Sequence, residues 1–228
     1  MNIKKHIPNA ITCMNLLSGV LSIICVLWLN SVQWAIALII LAAVFDFFDG
    51  LAARALHVSS PIGKDLDSLA DVVSFGVAPS ILLFYVLQLS GNLYLALPSL
   101  LIGVFAALRL AKFNNDTRQT TSFIGLPVPS NALFWIGLSS MLYQHPFALS
   151  PYFLFPVMYI FILLFCWFMI SEIPMFSFKI HGLGFKGNES RYALIILSVI
   201  SIGVFHLGGF APAVLLYILL SVIGEKKN

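Results

Sequence analysis

The stretch that decides the fold is DFFDGLAARALHVSSPIGKDLDSLAD, residues 46–71, which directly follows the apolar run WAIALIILAAVF, residues 34–45. It holds five acids and two bases, although charged residues make up only 9% of the chain. A charged side chain at the centre of a bilayer costs about 2.5–3.5 kcal/mol on insertion scales, so charges inside membrane segments usually serve a function. The acids therefore mark the first place to look for a site.

The composition is that of a membrane protein. Of the 228 residues 60% are hydrophobic, and the mean hydropathy is +1.00. Soluble domains are about 45–50% apolar and about a quarter charged. The net charge of +3 is too small to indicate a nucleic-acid partner. The three cysteines lie inside apolar runs without metal-ligand spacing, which indicates packing residues.

Apolar runs long enough to cross a bilayer predict the fold. They lie near residues 10–30, 32–55, 66–89, 92–113, 127–145, 151–171, 190–206 and 209–223. The runs are continuous rather than alternating, which favours helices over a barrel. We therefore predict an all-α, polytopic membrane helix bundle of about eight transmembrane helices. No repeat or second domain is evident, so residues 1–228 are expected to form one integral-membrane domain.

The basic residues predict the orientation. All of them fall in alternate loops or at the termini: Lys4, Lys5, Arg54, Lys64, Arg109, Lys112, Arg118, Lys179, Lys186, Arg191, Lys226 and Lys227. The other loops contain none. The positive-inside rule then predicts a multi-pass protein of the cell (inner) membrane with both termini and the acidic stretch at the cytoplasmic side.

Helical spacing predicts that the acids converge. Asp46 and Asp49 are three residues apart on the second run, and Asp67 and Asp71 are four apart on the third, so each pair shares a helix face. The short link HVSSPIG, with Pro61 and Gly63 as breakers, would join the two helices. Four carboxyl groups in one pocket need a compensating positive charge, and Mg²⁺ or Mn²⁺ suits carboxylate oxygen. The alternative is ordinary interfacial charge, such as Asp49 beside Arg54.

The complete pattern is more specific than a pair of acids. It reads D-x-x-D-G-x-x-A-R, eight residues, then G-x-x-x-D-x-x-x-D, with the fixed positions Asp46, Asp49, Gly50, Ala53, Arg54, Gly63, Asp67 and Asp71. This resembles the signature of the CDP-alcohol phosphotransferase family at every defined position. The segments PNAIT, KDLDSLADVVSFGVAP, RLAKFN and FIGLPVPSNA resemble the bacterial phosphatidylserine synthase branch, and the match reaches over roughly the first 130 residues.

The resemblance implies a fold, a reaction and a metal centre, and it implies that the single integral-membrane domain of residues 1–228 is catalytic. Family members share a six-helix core and usually form homodimers, so two further C-terminal helices are expected here. Asp46 and Asp67 would bridge two Mg²⁺ or Mn²⁺ ions, with Asp49 completing one site and Asp71 the other. The ions would bind the pyrophosphate of CDP-diacylglycerol. Asp71 would also act as general base for the hydroxyl of L-serine, and phosphatidylserine and CMP would form.

The resemblance also assigns residues to the substrates. Residues expected to bind CDP-diacylglycerol are Asn9, Thr12, Gly50, Ala53, Arg54, Ser60 and Gly63. For Asn9 and Thr12 the alternative is helix capping. Arg109 and Lys112, three apart in RLAKFN, would hold the carboxylate of serine. The alternative, stronger for Lys112, is that both only anchor the end of the helix.

Two other functions stay open at this point. The first is the same reaction with another acceptor, such as glycerol 3-phosphate or inositol phosphate, because the motif handles only the CDP half. Such phosphorylated acceptors would need more basic residues near the pocket than the chain offers. The second is a cation-coupled transporter. Its site is expected near the midplane between inverted repeats, and neither feature is present in the sequence.

Overall fold

The computed structural model describes residues 6–58, 60–116, 123–145, 150–175 and 189–225. In chain order its helices are α1 (His6–Leu27), α2 (Val32–Ala55), α3 (Pro61–Asp71), α4 (Ala78–Gln88), α5 (Leu93–Ala96), α6 (Leu101–Asn115), α7 (Val128–Gln144), α8 (Pro151–Ile170), α9 (Glu189–Phe205) and α10 (Phe210–Glu225). A π-helical turn, Val72–Val77, joins α3 to α4, and 3₁₀ turns at Leu97–Leu100 and His206–Gly209 precede α6 and α10. Two short strands, β1 (Phe123–Ile124) and β2 (Pro174–Met175), pair antiparallel.

The predicted fold class, an all-α polytopic membrane bundle, is confirmed. Each of the eight apolar runs corresponds to a helical segment, and the described part of the chain has 6 stretches long and apolar enough to cross a membrane. The difference from eight arises at α7, which has 17 residues, and at α9 and α10, which together count as one stretch, 191–222. That stretch reverses direction, since the Ser201 hydroxyl donates a hydrogen bond to the Gly209 carbonyl at 3.0 Å.

The chain forms two compact units, Met1–Leu110 and Ala111–Asn228. The prediction of one catalytic domain over residues 1–228 stays a prediction. The orientation also stays a prediction, because much of its evidence lies outside the described residues, namely Lys4, Lys5, Arg118, Lys179, Lys186, Lys226 and Lys227.

In the first unit, α1 packs against α2 and α3 through an unusually polar face. The residues of α1 that are buried recur every three to four positions: Pro8, Thr12, Asn15, Ser18, Gly19, Ser22 and Val26. The Ser22 hydroxyl donates to the Ala35 carbonyl of α2 at 2.9 Å. Lipid tails are as apolar as leucine, so helices in a bilayer associate through small side chains and interhelical hydrogen bonds.

The link between α2 and α3 is tighter than predicted. His57 takes a left-handed conformation (φ 51°) and ends α2. Ser60 caps α3, since its hydroxyl accepts the Gly63 N–H at 3.0 Å, and Pro61 is the first helical residue. The prediction that Pro61 and Gly63 break the chain is therefore wrong: proline is well suited to the first position of a helix, where no N–H is needed, and Gly63 lies in the first turn.

The helix continues from α3 to α4 through the π-helical turn. Pro79 has no N–H to donate, and the Ala78 N–H donates to the Val73 carbonyl, five residues earlier. Gly76 lies so close to α6 that an added Cβ would stand 2.8 Å from the Ala106 Cβ. This contact brings α6 against the turn that follows Asp71.

The second unit is packed by aromatic rings. Phe134 of α7 stacks on Phe165 of α8 at 3.8 Å between ring centroids, and Trp135 meets Phe165 edge to face at 5.5 Å. Helix α10 packs closely on α7, because an added Cβ on Gly137 would lie 2.5 Å from the Ala211 nitrogen. These contacts form an apolar core with few polar groups.

Candidate active site

Three carboxylates from α2 and α3 meet at one point. One oxygen from each of Asp46, Asp49 and Asp67 lies within 4.8 Å of the others. Asp46 and Asp49 share a face of α2, and the capped start of α3 turns Asp67 toward them. The sequence predicted this convergence from helical spacing alone.

Asp71 completes the group from one turn further along α3. Its side chain is buried, and its carboxyl group interacts electrostatically with Asp46, Asp67 and Asp49. The Asn15 side chain of α1 donates a hydrogen bond from Nδ2 to Asp71 Oδ1 at 3.5 Å. The structure thus brings together all four predicted acids, which we call the acidic cluster: Asp46, Asp49, Asp67 and Asp71.

The acidic cluster fits a divalent cation. Asp49 is only 6% exposed, and its Oδ2 is buried without a hydrogen-bond partner among the described residues. A buried carboxylate oxygen left in this way costs free energy unless something positive faces it. All the candidate metal ligands are carboxylate oxygens, which Mg²⁺ and Mn²⁺ prefer.

A cavity of about 280 Å³ opens beside the acidic cluster. Asp49 and Asp67 lie in its wall. Six of the seven residues predicted to bind the CDP-lipid also line it: Asn9, Thr12, Gly50, Ala53, Ser60 and Gly63. The cavity and the four acids therefore form a single candidate site.

Two glycines shape this cavity differently. A Cβ added to Gly63 would lie 3.0 Å from both Asn9 Oδ1 and Ser60 Oγ, so these polar groups pack against bare backbone. A Cβ on Gly50 would meet nothing within 4 Å, so the space beside Gly50 is open to a ligand. The alternative role of Asn9 and Thr12 as helix caps is wrong, because α1 begins at His6 and both residues lie inside it.

Arg54 lies at the edge of this site. Its side chain is exposed, and its Nε donates to the Gly50 carbonyl at 3.0 Å. Gly50 lines the cavity, whereas Arg54 does not. Its contact with the nucleotide stays a prediction.

The two predicted serine ligands have different surroundings. Arg109 of α6 is only 6% exposed. Lys112 is exposed, and its ammonium donates to the Ile170 carbonyl at 3.1 Å and lies 3.7 Å from a Glu172 carboxylate oxygen. A cation at the carboxyl end of a helix is favourable, so Lys112 anchors the end of α8. Serine binding by either residue stays a prediction.

Sequence reasoning missed several residues of the site. Pro8 and Val58 line the cavity, as does Lys64, which the sequence analysis used only as evidence for the orientation. Asn15, in contact with Asp71, was also missed. The sequence did contain a signal for it, because Thr12, Asn15, Ser18 and Ser22 follow helical spacing in an otherwise apolar run.

Carboxylates on neighbouring apolar helices, beside a cavity, are typical of a membrane protein that binds a ligand through a cation. The chain's residues 5–171 match the family model of CDP-alcohol phosphatidyltransferases. The chain belongs to this family, which is metal-dependent in general. The predicted family and the predicted class, a multi-pass membrane transferase, are confirmed.

Several curated relatives carry the name CDP-diacylglycerol–serine O-phosphatidyltransferase. The Bacillus subtilis protein is 38% identical over 135 residues, which cover 59% of this chain and 76% of the relative. The Methanocaldococcus jannaschii protein is 38% identical over 136 residues, covering 60% of this chain and 61% of the relative. The Mycobacterium tuberculosis protein is 36% identical over 206 residues, covering 86% of this chain and 68% of the relative. Against the Helicobacter pylori relatives the match spans about half of their length.

Proposed function

We propose that this chain transfers the phosphatidyl group of CDP-diacylglycerol to the hydroxyl of L-serine, giving phosphatidylserine and CMP. The observation that carries the proposal is the meeting of three carboxylate oxygens within 4.8 Å at the wall of a cavity that the family motif lines. The names of the relatives support CDP-diacylglycerol as donor and serine as acceptor.

The acidic cluster would hold two Mg²⁺ or Mn²⁺ ions. When bound, such ions neutralise the pyrophosphate of the donor and the charge that develops on the departing CMP. The orphaned Oδ2 of Asp49 supports its role as a ligand. Asp46 and Asp67 supply the other oxygens at this point, and Asp71 lies beside them.

Asp71 would take the proton of the acceptor. The serine hydroxyl gives its proton to the Asp71 carboxylate as its oxygen attacks the phosphorus that carries the diacylglycerol. The bond from that phosphorus to the CMP oxygen breaks, and CMP leaves with the electron pair. The deep position of Asp71 on α3 supports this role, because burial keeps water from competing with the acceptor alcohol.

The open side of the cavity would take the nucleotide half of the donor. Gly50 lets a ligand approach the backbone, Gly63 makes room for the Asn9 and Ser60 side chains in the wall, and Ala53 adds little volume. Asn9, Thr12 and Ser60 offer polar groups along the same wall. Arg54 would reach the phosphates from the rim by leaving its bond to the Gly50 carbonyl.

Serine would be selected by its carboxylate. Arg109 is a cation buried in an apolar helix, and charged residues inside membrane segments usually serve a function. Lys112 would add a second positive charge from the same helix. A small zwitterion suits this sparse set of cations better than a phosphorylated acceptor does.

The location and assembly follow the same proposal. The chain would lie in the cell (inner) membrane with both termini and the active site at the cytoplasmic side, where CDP-lipid headgroups and free serine meet. It would work as a homodimer, as family members usually do. Crosslinking in native vesicles and protease accessibility of the termini test these two points.

The central experiment measures CMP release from purified protein. The reaction contains CDP-diacylglycerol, Mn²⁺ or Mg²⁺ and labelled serine, and parallel reactions replace serine by glycerol 3-phosphate or inositol phosphate. We expect labelled phosphatidylserine in equal amount to CMP, and at least about tenfold slower release with the other acceptors. Equal rates with a phosphorylated acceptor would contradict serine specificity, and no CMP release with any acceptor would contradict the reaction.

A further inference from the structure

Asn15 is a buried amide that reaches the proposed general base. It lies on α1, is 0% exposed, and donates from Nδ2 to Asp71 Oδ1 on α3. We propose that Asn15 is a positioning residue for Asp71: its amide fixes the rotation of the Asp71 carboxyl group within the acidic cluster. This inference rests on the proposed function, and it adds a residue outside the family motif.

The backbone around Asn15 is held by the same helix that carries Asp71. The Ser74 hydroxyl donates to the Asn15 carbonyl at 3.0 Å, and Ser74 lies three residues after Asp71. One turn after Asn15, Gly19 allows the close approach, because a Cβ there would overlap the Ser74 side chain and lie 2.8 Å from its Cα. The separation of Asn15 and Asp71 is thus set by helix packing and not by a mobile loop.

Stability alone does not account for this amide. Asn15 Oδ1 is buried and has no hydrogen-bond partner among the residues that the structure describes. Such an orphaned acceptor costs about 1–3 kcal/mol. The bond to Asp71, at 3.5 Å, is at the long limit for a hydrogen bond and returns little of that cost. Catalytic hydrogen bonds are often long in the absence of substrate and shorten in its complex.

A packing role and a positioning role predict different results for the variant Asn15→Leu. A packing residue would, on replacement, lower thermal stability and active fraction together. A positioning residue would leave folding intact, because leucine is a strong helix former, and would slow the chemical step. A misplacement of about 1 Å costs up to about 100-fold in rate.

The experiment compares Asn15→Leu with the matched control Ser22→Ala. Ser22 lies on the same helix and is also buried, but its hydroxyl bonds to the Ala35 carbonyl, away from the acids. CMP release gives kcat and KM, and unfolding in detergent gives Tm. We expect Asn15→Leu to lose about 10- to 100-fold in kcat, with the KM for CDP-diacylglycerol within about threefold and Tm not lowered. Ser22→Ala should keep kcat within about twofold.

A double-mutant cycle then asks whether Asn15 acts through Asp71. In the Asp71→Asn background, Asn15→Leu should lower kcat by less than about a further threefold, because the effects of residues that act as a unit are not additive. A full multiplicative loss, or an unchanged kcat in the single variant, would overturn the inference while wild-type activity upholds the proposed function. Wild-type protein that releases no CMP with serine would refute the function, and the inference with it. Should Asn15→Leu fail to fold, Asn15→Ser, whose hydroxyl is too short to reach Asp71, is expected to show the same loss in kcat.

Discussion

The two compact units of the chain bury different kinds of side chain. In Met1–Leu110 the buried residues include Asp49, Asp71 and Arg109. Among the described residues of Ala111–Asn228, no charged side chain is buried, and the core is built around the rings of Phe134 and Phe165. Buried charges cost stability unless they are paired, whereas packed rings supply it. We therefore predict that the first unit carries the chemistry and that the second supplies stability, and the variants below test that division.

The largest effect is expected from Asp67→Asn in the acidic cluster. Loss of a metal-binding oxygen should lower kcat by at least about 10³-fold, since a bound cation contributes several kcal/mol to a phosphoryl transition state. Without metal the same change should raise Tm, because it removes a like charge from beside Asp46 and Asp49. CMP release checks the fall in kcat, and thermal unfolding with and without Mn²⁺ checks the change in Tm.

The matched control for that prediction is Asp65→Asn, which changes an exposed acid on the same helix. It should leave kcat and the Mn²⁺-induced rise in Tm unchanged. A chelator should abolish wild-type activity, and added Mn²⁺ or Mg²⁺ should restore it. Equal losses in Asp65→Asn and Asp67→Asn would mean that net charge, and not a metal site, matters.

Asp71→Asn should distinguish a role of Asp71 as general base from a role in substrate binding. The amide keeps the shape of the side chain but takes no proton, so kcat should fall by about 10²–10⁴-fold. Binding of the CDP-lipid, measured with labelled donor under equilibrium conditions, should stay within about threefold. Unimpaired turnover would remove Asp71 from the base role.

Phe165→Ala should act on the second unit alone. Phe165 is fully buried against Phe134 and Trp135, and removal of such a ring costs about 3–5 kcal/mol of unfolding free energy. The fraction that stays folded at low temperature should turn over normally. Leu163→Ala, on the same helix but 62% exposed, serves as the control with little effect on Tm. A change in KM for serine in folded Phe165→Ala would break the division between the units.

Arg109→Ala should affect one substrate more than the other. If the guanidinium holds the carboxylate of serine, its loss should raise the KM for serine by about 10- to 100-fold, the range for a charge-assisted bond. The KM for CDP-diacylglycerol should change by less than about threefold. Equal effects on both substrates would contradict a carboxylate clamp and favour a role in packing around α6.

The sequence predicted the acidic cluster well because helical spacing is local. Asp46 with Asp49, and Asp67 with Asp71, share faces in any α-helix, and the short link leaves little choice about how α2 and α3 meet. The link itself was misread, because a cap at Ser60 and a proline at the first position extend α3 to Pro61. The sequence Ser60-Pro61 is compatible both with a turn and with the start of a helix, and only the capping hydrogen bond distinguishes the two.

The sequence did not predict which helix faces pack together. In a bilayer the lipid-facing side of a helix is as apolar as its packed side, so α1 exposes Leu17 and Leu21 while it buries Asn15 and Ser22. Hydrophobic periodicity therefore fails here, and polar residues become the better guide to the interior. The reversal before α10 was predicted, because the apolar runs 190–206 and 209–223 are separate in the sequence. The π-helical turn was not predicted, because it depends on which carbonyl the Ala78 N–H meets.

Gly50→Ala is expected to give the smallest effect, and it best distinguishes a contact with the ligand from a contact within the protein. Outside its chain neighbours and the backbone of its own helix, no protein atom lies within 4 Å of the added methyl group. Alanine is favoured over glycine inside a helix by up to about 1 kcal/mol, so Tm should rise slightly. If the nucleotide occupies the cavity beside Gly50, the same methyl group should raise the KM for CDP-diacylglycerol by about three- to tenfold, because one added methylene costs about 1 kcal/mol at the low end of its range in a filled pocket. A variant with a higher Tm and a higher KM would show that the methyl group collides with the bound ligand and not with the protein, since the empty cavity has room for it. An unchanged KM would place the nucleotide elsewhere and would leave the acidic cluster without its neighbouring subsite.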